Sequence, residues 1–144
     1  MAGSSKDTAE LLQDLKKTAH IEDYLRKNAD DLRHESQTDA INRIYRQQGR
    51  GKAEIAREAG ISDIYLYQIF SGKRIPSRNR LICICLGMRT FGEDAQMLLR
   101  LYGYAPLYVR DERDAIILHG ILHGKTVPDV NRLLLEKQLS PLLD

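Results

Sequence analysis

Lys52-Ala53-Glu54-Ile55-Ala56-Arg57-Glu58-Ala59-Gly60-Ile61-Ser62, followed by Leu66 and Ile69, is the stretch that decides how this chain folds. Its residue types suit two short helices that meet at a tight turn. Ala56 is small enough for the second helix to cross close above it. Gly60 supplies the positive φ needed to leave the first helix abruptly. Ile61 plugs the angle between the helices, and Ser62 caps the second one. Ile55, Leu66 and Ile69 then fall on the shared inner face. Ala56-x-x-x-Gly60-Ile61-Ser62 alone would fit many helical hairpins. The whole pattern, set among further helices and a local excess of basic residues, is far more specific.

The flanking sequence is helical in both directions, so the fold class is all-α. Upstream, Asp7 with Glu10 is a helix start ahead of Leu11, Leu12 and Leu15. A short helix follows from about Ile21 to Lys27, then a polar connector from Asn28 to Gln37. Ser36 with Asp39 caps a helix carrying Ala40, Ile41, Ile44 and Tyr45 at helical spacing, up to Gln48-Gly49. Downstream of the pair, Ser71-Gly72 ends the second helix. Pro76-Ser77 opens another, which covers Leu81, Ile82, Ile84 and Cys85 and is expected to end at Gly87. Thr90 with Glu93 is expected to cap the next, through Leu98, Leu99 and Tyr102. Asp111 to His123 and about Val127 to Lys137 complete the series. No segment alternates with period two long enough to suggest a strand. The expected division is an N-terminal helical segment (1–35), a central helical domain (36–89) and a C-terminal helical extension (90–144).

Charge singles out the same central region. The chain of 144 residues carries 22 basic and 20 acidic side chains, a net of +2, with 42% hydrophobic and 29% charged residues. That is the balance of a soluble globular chain, and it excludes a uniformly basic nucleic-acid coat. Residues 36–90 nevertheless hold ten basic side chains against four acidic, +6, while the segments on either side are each at −2. Only the middle third would draw a polyanion to one face. The longest apolar run, Leu81 to Met88, is far short of the roughly 18 residues a membrane helix needs. The first residues lack an apolar signal region, and Cys83 and Cys85, one residue apart in an apolar stretch, suit small core residues of a reduced, cytoplasmic protein. No membrane association is expected.

Residues 37–87 resemble the Xre/Cro/CI class of phage-repressor-like helix-turn-helix domains. The resemblance rests on Glu54-Ile55-Ala56, Ala59-Gly60-Ile61-Ser62, Ile69, Ser71-Gly72-Lys73 and Pro76-Ser77. The regions Tyr65 to Lys73, Leu101 to Tyr108 and Arg113 to Leu118 are also similar to a bacterial subgroup with an additional helical tail. The resemblance implies a repressor-like five-helix domain that binds double-stranded DNA as a transcriptional regulator. The sequence departs from the family pattern at Gly51, where Ser or Thr is common, at Lys52, where Gln is common, and at Phe70, where Glu is frequent. Asp63 is acidic where DNA prefers donors.

Helix geometry assigns roles under that reading. With Leu66 and Ile69 inward, Asp63, Ile64, Tyr67 and Gln68 face outward on the helix that would lie in the major groove. Gln68 can bond adenine bidentately, Ile64 can pack on a thymine methyl and Asp63 can accept from cytosine N4. Tyr67 reaches a base or a phosphate. Arg43, Arg46, Lys52, Ser62, Lys73, Arg74 and Arg78 are the expected phosphate contacts. The competing reading makes Tyr65, Tyr67 and Phe70 an aromatic cluster that buries a neighbouring helix. The competing function is a protein-interaction adaptor that keeps the fold without binding DNA.

Other constellations carry less. His119 and His123 have the i, i+4 spacing of a zinc pair, but Gly120 follows the first and no third ligand is suggested nearby. They sit among Ile116, Ile117, Leu118, Ile121 and Leu122 on a core-facing helix, so neither metal nor cofactor is expected. No catalytic arrangement stands out, so the chain does not read as an enzyme. The tail is rich in leucine and isoleucine, more than three short helices bury among themselves. A homodimer with its interface past about Thr90 is therefore expected, which would also place two reading helices about 34 Å apart. One larger monomeric core is the alternative.

Overall fold

The computed structural model describes residues 6–32 and 35–143, and among these every regular element is a helix. Residues 1–5, Asp144 and, within the expected connector, Arg33 and His34 lie outside the described residues. The chain divides into two compact units, Met1–Glu35 and Ser36–Asp144.

In the first unit α1 (Thr8–Lys17) is capped by Asp7, whose carboxylate accepts from the Glu10 N–H at 2.8 Å. After α2 (Ile21–Lys27) the expected connector contains a 3-10 turn, Ala29–Asp31. The Lys6 ammonium ties the ends of these helices together, donating to Asp14 at 2.5 Å and to the buried Asn28 at 2.6 Å. That hydrogen bond raises the Lys6 pKa and lowers that of Asp14. Leu12, Leu15, Ile21 and Leu25 remain exposed.

The second unit is built around one helix. It runs α3 (Gln37–Gln48), α4 (Lys52–Ala59), α5 (Asp63–Ser71), α6 (Arg78–Met88), α7 (Gly92–Leu101), α8 (Glu112–Leu122) and α9 (Val127–Glu136). Helix α6 is buried from Leu81 through Met88 and packs against α4, α7, α8 and α9. A helix apolar all round must be covered on every side, and α6 is. Ser36, Ser62, Ser77, Asp111 and Thr126 each accept a backbone N–H as helix caps. Thr126 and Asp129 form a reciprocal capping box.

Two expectations about α6 and α7 are corrected. Gly87 does not end α6. A Cβ there would lie 2.9 Å from the Ile55 carbonyl oxygen, so glycine is what lets α4 and α6 approach. The helix stops instead at Arg89, in the left-handed region with φ 56°. Thr90 does not cap α7 either. It is buried, its N–H donates to Cys85 O at 3.0 Å to close α6, and Phe91 occupies the N-cap of α7 without a side-chain bond. Cys83 and Cys85 are free and buried, and burial pushes the Cys85 thiol up to about 12.

The boundary expected at 89/90 is crossed by the core. One cluster of buried side chains runs from Ala40 to Leu142, and Leu98, Leu99, Ile117, Ile121, Leu134 and Leu142 of the tail belong to it. Leu142 is fastened there as well, since its N–H donates to Asn131 and Cys83 Sγ lies 3.7 Å from its carbonyl oxygen. Much of the apolar load in the tail thus covers α6, while Leu122, Leu133, Leu135 and Leu143 stay exposed. No helix among the described residues is long and apolar enough to cross a membrane.

Candidate nucleic-acid interface

The geometry of α4 and α5 follows from the residues that join them. Gly60 adopts φ 76°, and the N–H groups of Gly60 and Ile61 donate to Arg57 O and Ala56 O at 3.2 and 3.0 Å. These bonds satisfy carbonyls that the end of α4 would otherwise leave open. Ser62 Oγ then accepts from the Tyr65 N–H at 3.0 Å, so α5 starts two residues after the turn. Ile55, Ala56, Leu66 and Ile69 are fully buried between the helices and α6, and Ile61 packs at the edge. Gly51 caps α4 with no side-chain bond.

This anchoring fixes what α5 turns outward. Asp63 is exposed, Ile64 is 70% exposed and Tyr67 53% exposed, while Gln68 is half-buried. An isoleucine held that far out of the core does nothing for packing. Of the aromatic residues, Phe70 is buried against Tyr45 with ring centroids 5.3 Å apart, and Tyr65 is half-buried.

The cations expected at phosphates fall into two sets. Arg46 and Lys73 are exposed, and so is Arg74, whose Nε donates to Gln68 Oε1 at 2.9 Å. Arg43 is half-buried, and Ser62 is exposed at its cap. Lys52 and Arg78 are engaged within the fold. The Lys52 ammonium lies 5.2, 5.2 and 5.3 Å from the ring centroids of Tyr45, Tyr67 and Phe70. Such cation–π contacts at a partly exposed site are worth about 0.5–1 kcal/mol each. Lys52 and Phe70 thus face each other. Arg78 donates to Ala105 O at 3.0 Å and Pro106 O at 3.4 Å, and lies 3.4 Å from Asp114. It fastens α6 to the chain before α8.

Part of the basic excess is neutralised where it stands. Glu58 bonds the guanidinium groups of Arg50 and Arg89, and Arg50 also reaches Glu54 at 3.5 Å. Arg89 donates in addition to Gly124 O, tying α4 to the turn before α9. Sequence reasoning missed Arg80, whose guanidinium lies 4.9 Å from the Tyr65 ring centroid beside that of Arg74 at 5.1 Å. No periodicity links these residues across Gly72 and Pro76.

The exposed rings of His119 and His123 lie with centroids 4.1 Å apart, tilted by 31°. Among the described residues no group of three or more His, Cys, Asp or Glu side chains could hold a metal ion. Burial holds Cys85 in its protonated, unreactive form at neutral pH. No family model, curated protein or solved structure matches the chain.

Proposed function

We propose that the chain is a sequence-specific, repressor-like DNA-binding protein of the helix-turn-helix type, with α5 as the helix that enters the major groove. The observation that carries this reading is the outward face of α5. Ile64 and Tyr67 stand exposed beside Asp63 and Gln68, on a helix whose other face is locked into the core. The exposed cations Arg46, Lys73 and Arg74 lie on the neighbouring segments and supply sequence-independent attraction to phosphates. Lys52, held over three rings, positions Tyr67 rather than a phosphate. The chain acts as a homodimer, with the exposed Phe91, Leu122 and Leu135 of the tail as its apolar contact.

Fluorescence polarisation of the full chain on labelled duplex over a range of salt tests the proposal. Affinity should fall steeply with salt, and Ile64→Asp should abolish selection of any sequence while leaving the fold intact. A chain that ignores duplex at low salt contradicts it. Exposed Ile64 and Tyr67 would equally suit an apolar patch on a protein, so the adaptor reading takes over in that case.

A further inference from the structure

We propose that Gln68 and Arg74 form one reading head, in which Gln68 holds the donor fork of Arg74 towards guanine, with Tyr65 as its platform. The inference rests on the DNA-binding reading above and names the base that reading left to Gln68 alone. A lone glutamine recognises adenine by turning its carbonyl to the N6 amino group and its amide nitrogen to N7. In this structure Gln68 Oε1 already accepts from Arg74 Nε at 2.9 Å. That bond takes one of the two lone pairs of Oε1 and fixes which way the amide is turned, with the guanidinium held against it.

The pairing is built into the end of α5. The left-handed Gly72 folds the chain back so that the N–H groups of Lys73 and Arg74 both donate to Gln68 O, at 2.9 and 3.2 Å. Backbone and side chain therefore bind Arg74 to the same residue. The guanidinium lies 5.1 Å from the Tyr65 ring centroid, which restrains its plane. With Nε committed to Gln68, the Nη1 and Nη2 edge is the part left to meet a ligand. A guanidinium edge is a rigid fork of donors, and the Gln68 amide nitrogen adds another donor beside it. Guanine offers two adjacent acceptors in the major groove, N7 and O6, whereas adenine places a donor at N6. The donor fork of Arg74 fits the paired acceptors of guanine and meets the N6 donor of adenine unfavourably.

Selection from a random duplex library with the full chain tests this, comparing wild type, Gln68→Ala and Arg74→Lys. Both changed positions lie away from the core, Gln68 half-buried on α5 and Arg74 exposed just past its cap, and circular dichroism checks the fold. The position whose preference disappears in Gln68→Ala should be guanine in wild type, favoured about tenfold or more over adenine. Arg74→Lys keeps the charge and loses the fork. It should retain the salt slope of wild type, lose the guanine preference by about tenfold and gain adenine as Gln68 Oε1 is released. Adenine at that position in wild type, or the same guanine in Arg74→Lys, overturns the reading head while DNA binding stands. Preferences unchanged in Gln68→Ala do the same. A chain that selects no sequence and shows no salt-dependent affinity overturns the DNA reading, and the reading head with it.

Discussion

Helices α5 and α6 are of similar length and similarly rich in large apolar side chains, yet they end in opposite environments. Helix α6 is buried from Leu81 through Met88 because four other helices cover it. Helix α5 buries Leu66, Ile69 and Phe70 and turns Ile64 and Tyr67 to solvent. Packing accounts for every apolar residue of α6, and on α5 it leaves Ile64 and Tyr67 unaccounted for. Under the proposed function, what packing leaves unexplained on α5 is where the partner would make its contacts.

The largest expected effect breaks the comparison from the α6 side. Ile84→Ala removes a fully buried side chain and should cost about 2–5 kcal/mol in denaturant unfolding, whereas Ile64→Ala should stay within about 0.5 kcal/mol of wild type. Similar losses for both would mean that Ile64 is part of the core. Gly87→Ala should cost about 1–3 kcal/mol, because its Cβ would press on the Ile55 carbonyl oxygen at 2.9 Å and α4 would have to move away. An unchanged unfolding midpoint would show that α4 and α6 are not so closely apposed. On the α5 side, Lys73→Ala should leave stability unchanged and reduce the slope of log affinity against log salt by about one unit. A slope equal to that of wild type removes Lys73 from the interface.

The smallest effect belongs to the first unit. Its Asp14 carboxylate accepts from the Lys6 ammonium, which holds the Asp14 pKa below the ordinary value of 3.8. A depressed carboxylate stabilises above its unfolded value, and that contribution fades as pH falls through the lowered folded value. The NMR titration of Asp14 should therefore have its midpoint below 3.8 in wild type and return towards it in Lys6→Met. Equal midpoints would show that Lys6 and Asp14 do not pair in solution.

How much of this was legible in the sequence depended on whether the cause was local. Gly60, Ile61 and Ser62 could be read because their backbone demands are met by residues within one turn. The caps at Ser36, Ser62 and Ser77 are equally local. Gly87 was misread as a helix end because its glycine answers to Ile55, a residue on another helix. Thr90 matches a capping pattern with Glu93, but the turn that closes α6 draws its N–H to Cys85 first. The candidate site divides the same way. Periodicity alone gives the outward positions Asp63, Ile64, Tyr67 and Gln68. It does not give the destination of Lys52, whose three rings come from α3 and α5, or of Arg78, whose partner Asp114 lies 36 residues along the chain. Nor does it give Arg74 a direction, since the bond to Gln68 depends on the turn at Gly72.

Amide chemical-shift mapping of the full chain, titrated with a duplex enriched from a random library, tests most directly whether the outward face of α5 is the proposed contact surface. The account predicts the largest changes at Asp63, Ile64, Tyr67 and Gln68, with smaller ones at Lys73 and Arg74 and none along the buried stretch of α6. Changes centred on α8 and α9, with α5 undisturbed, would contradict it.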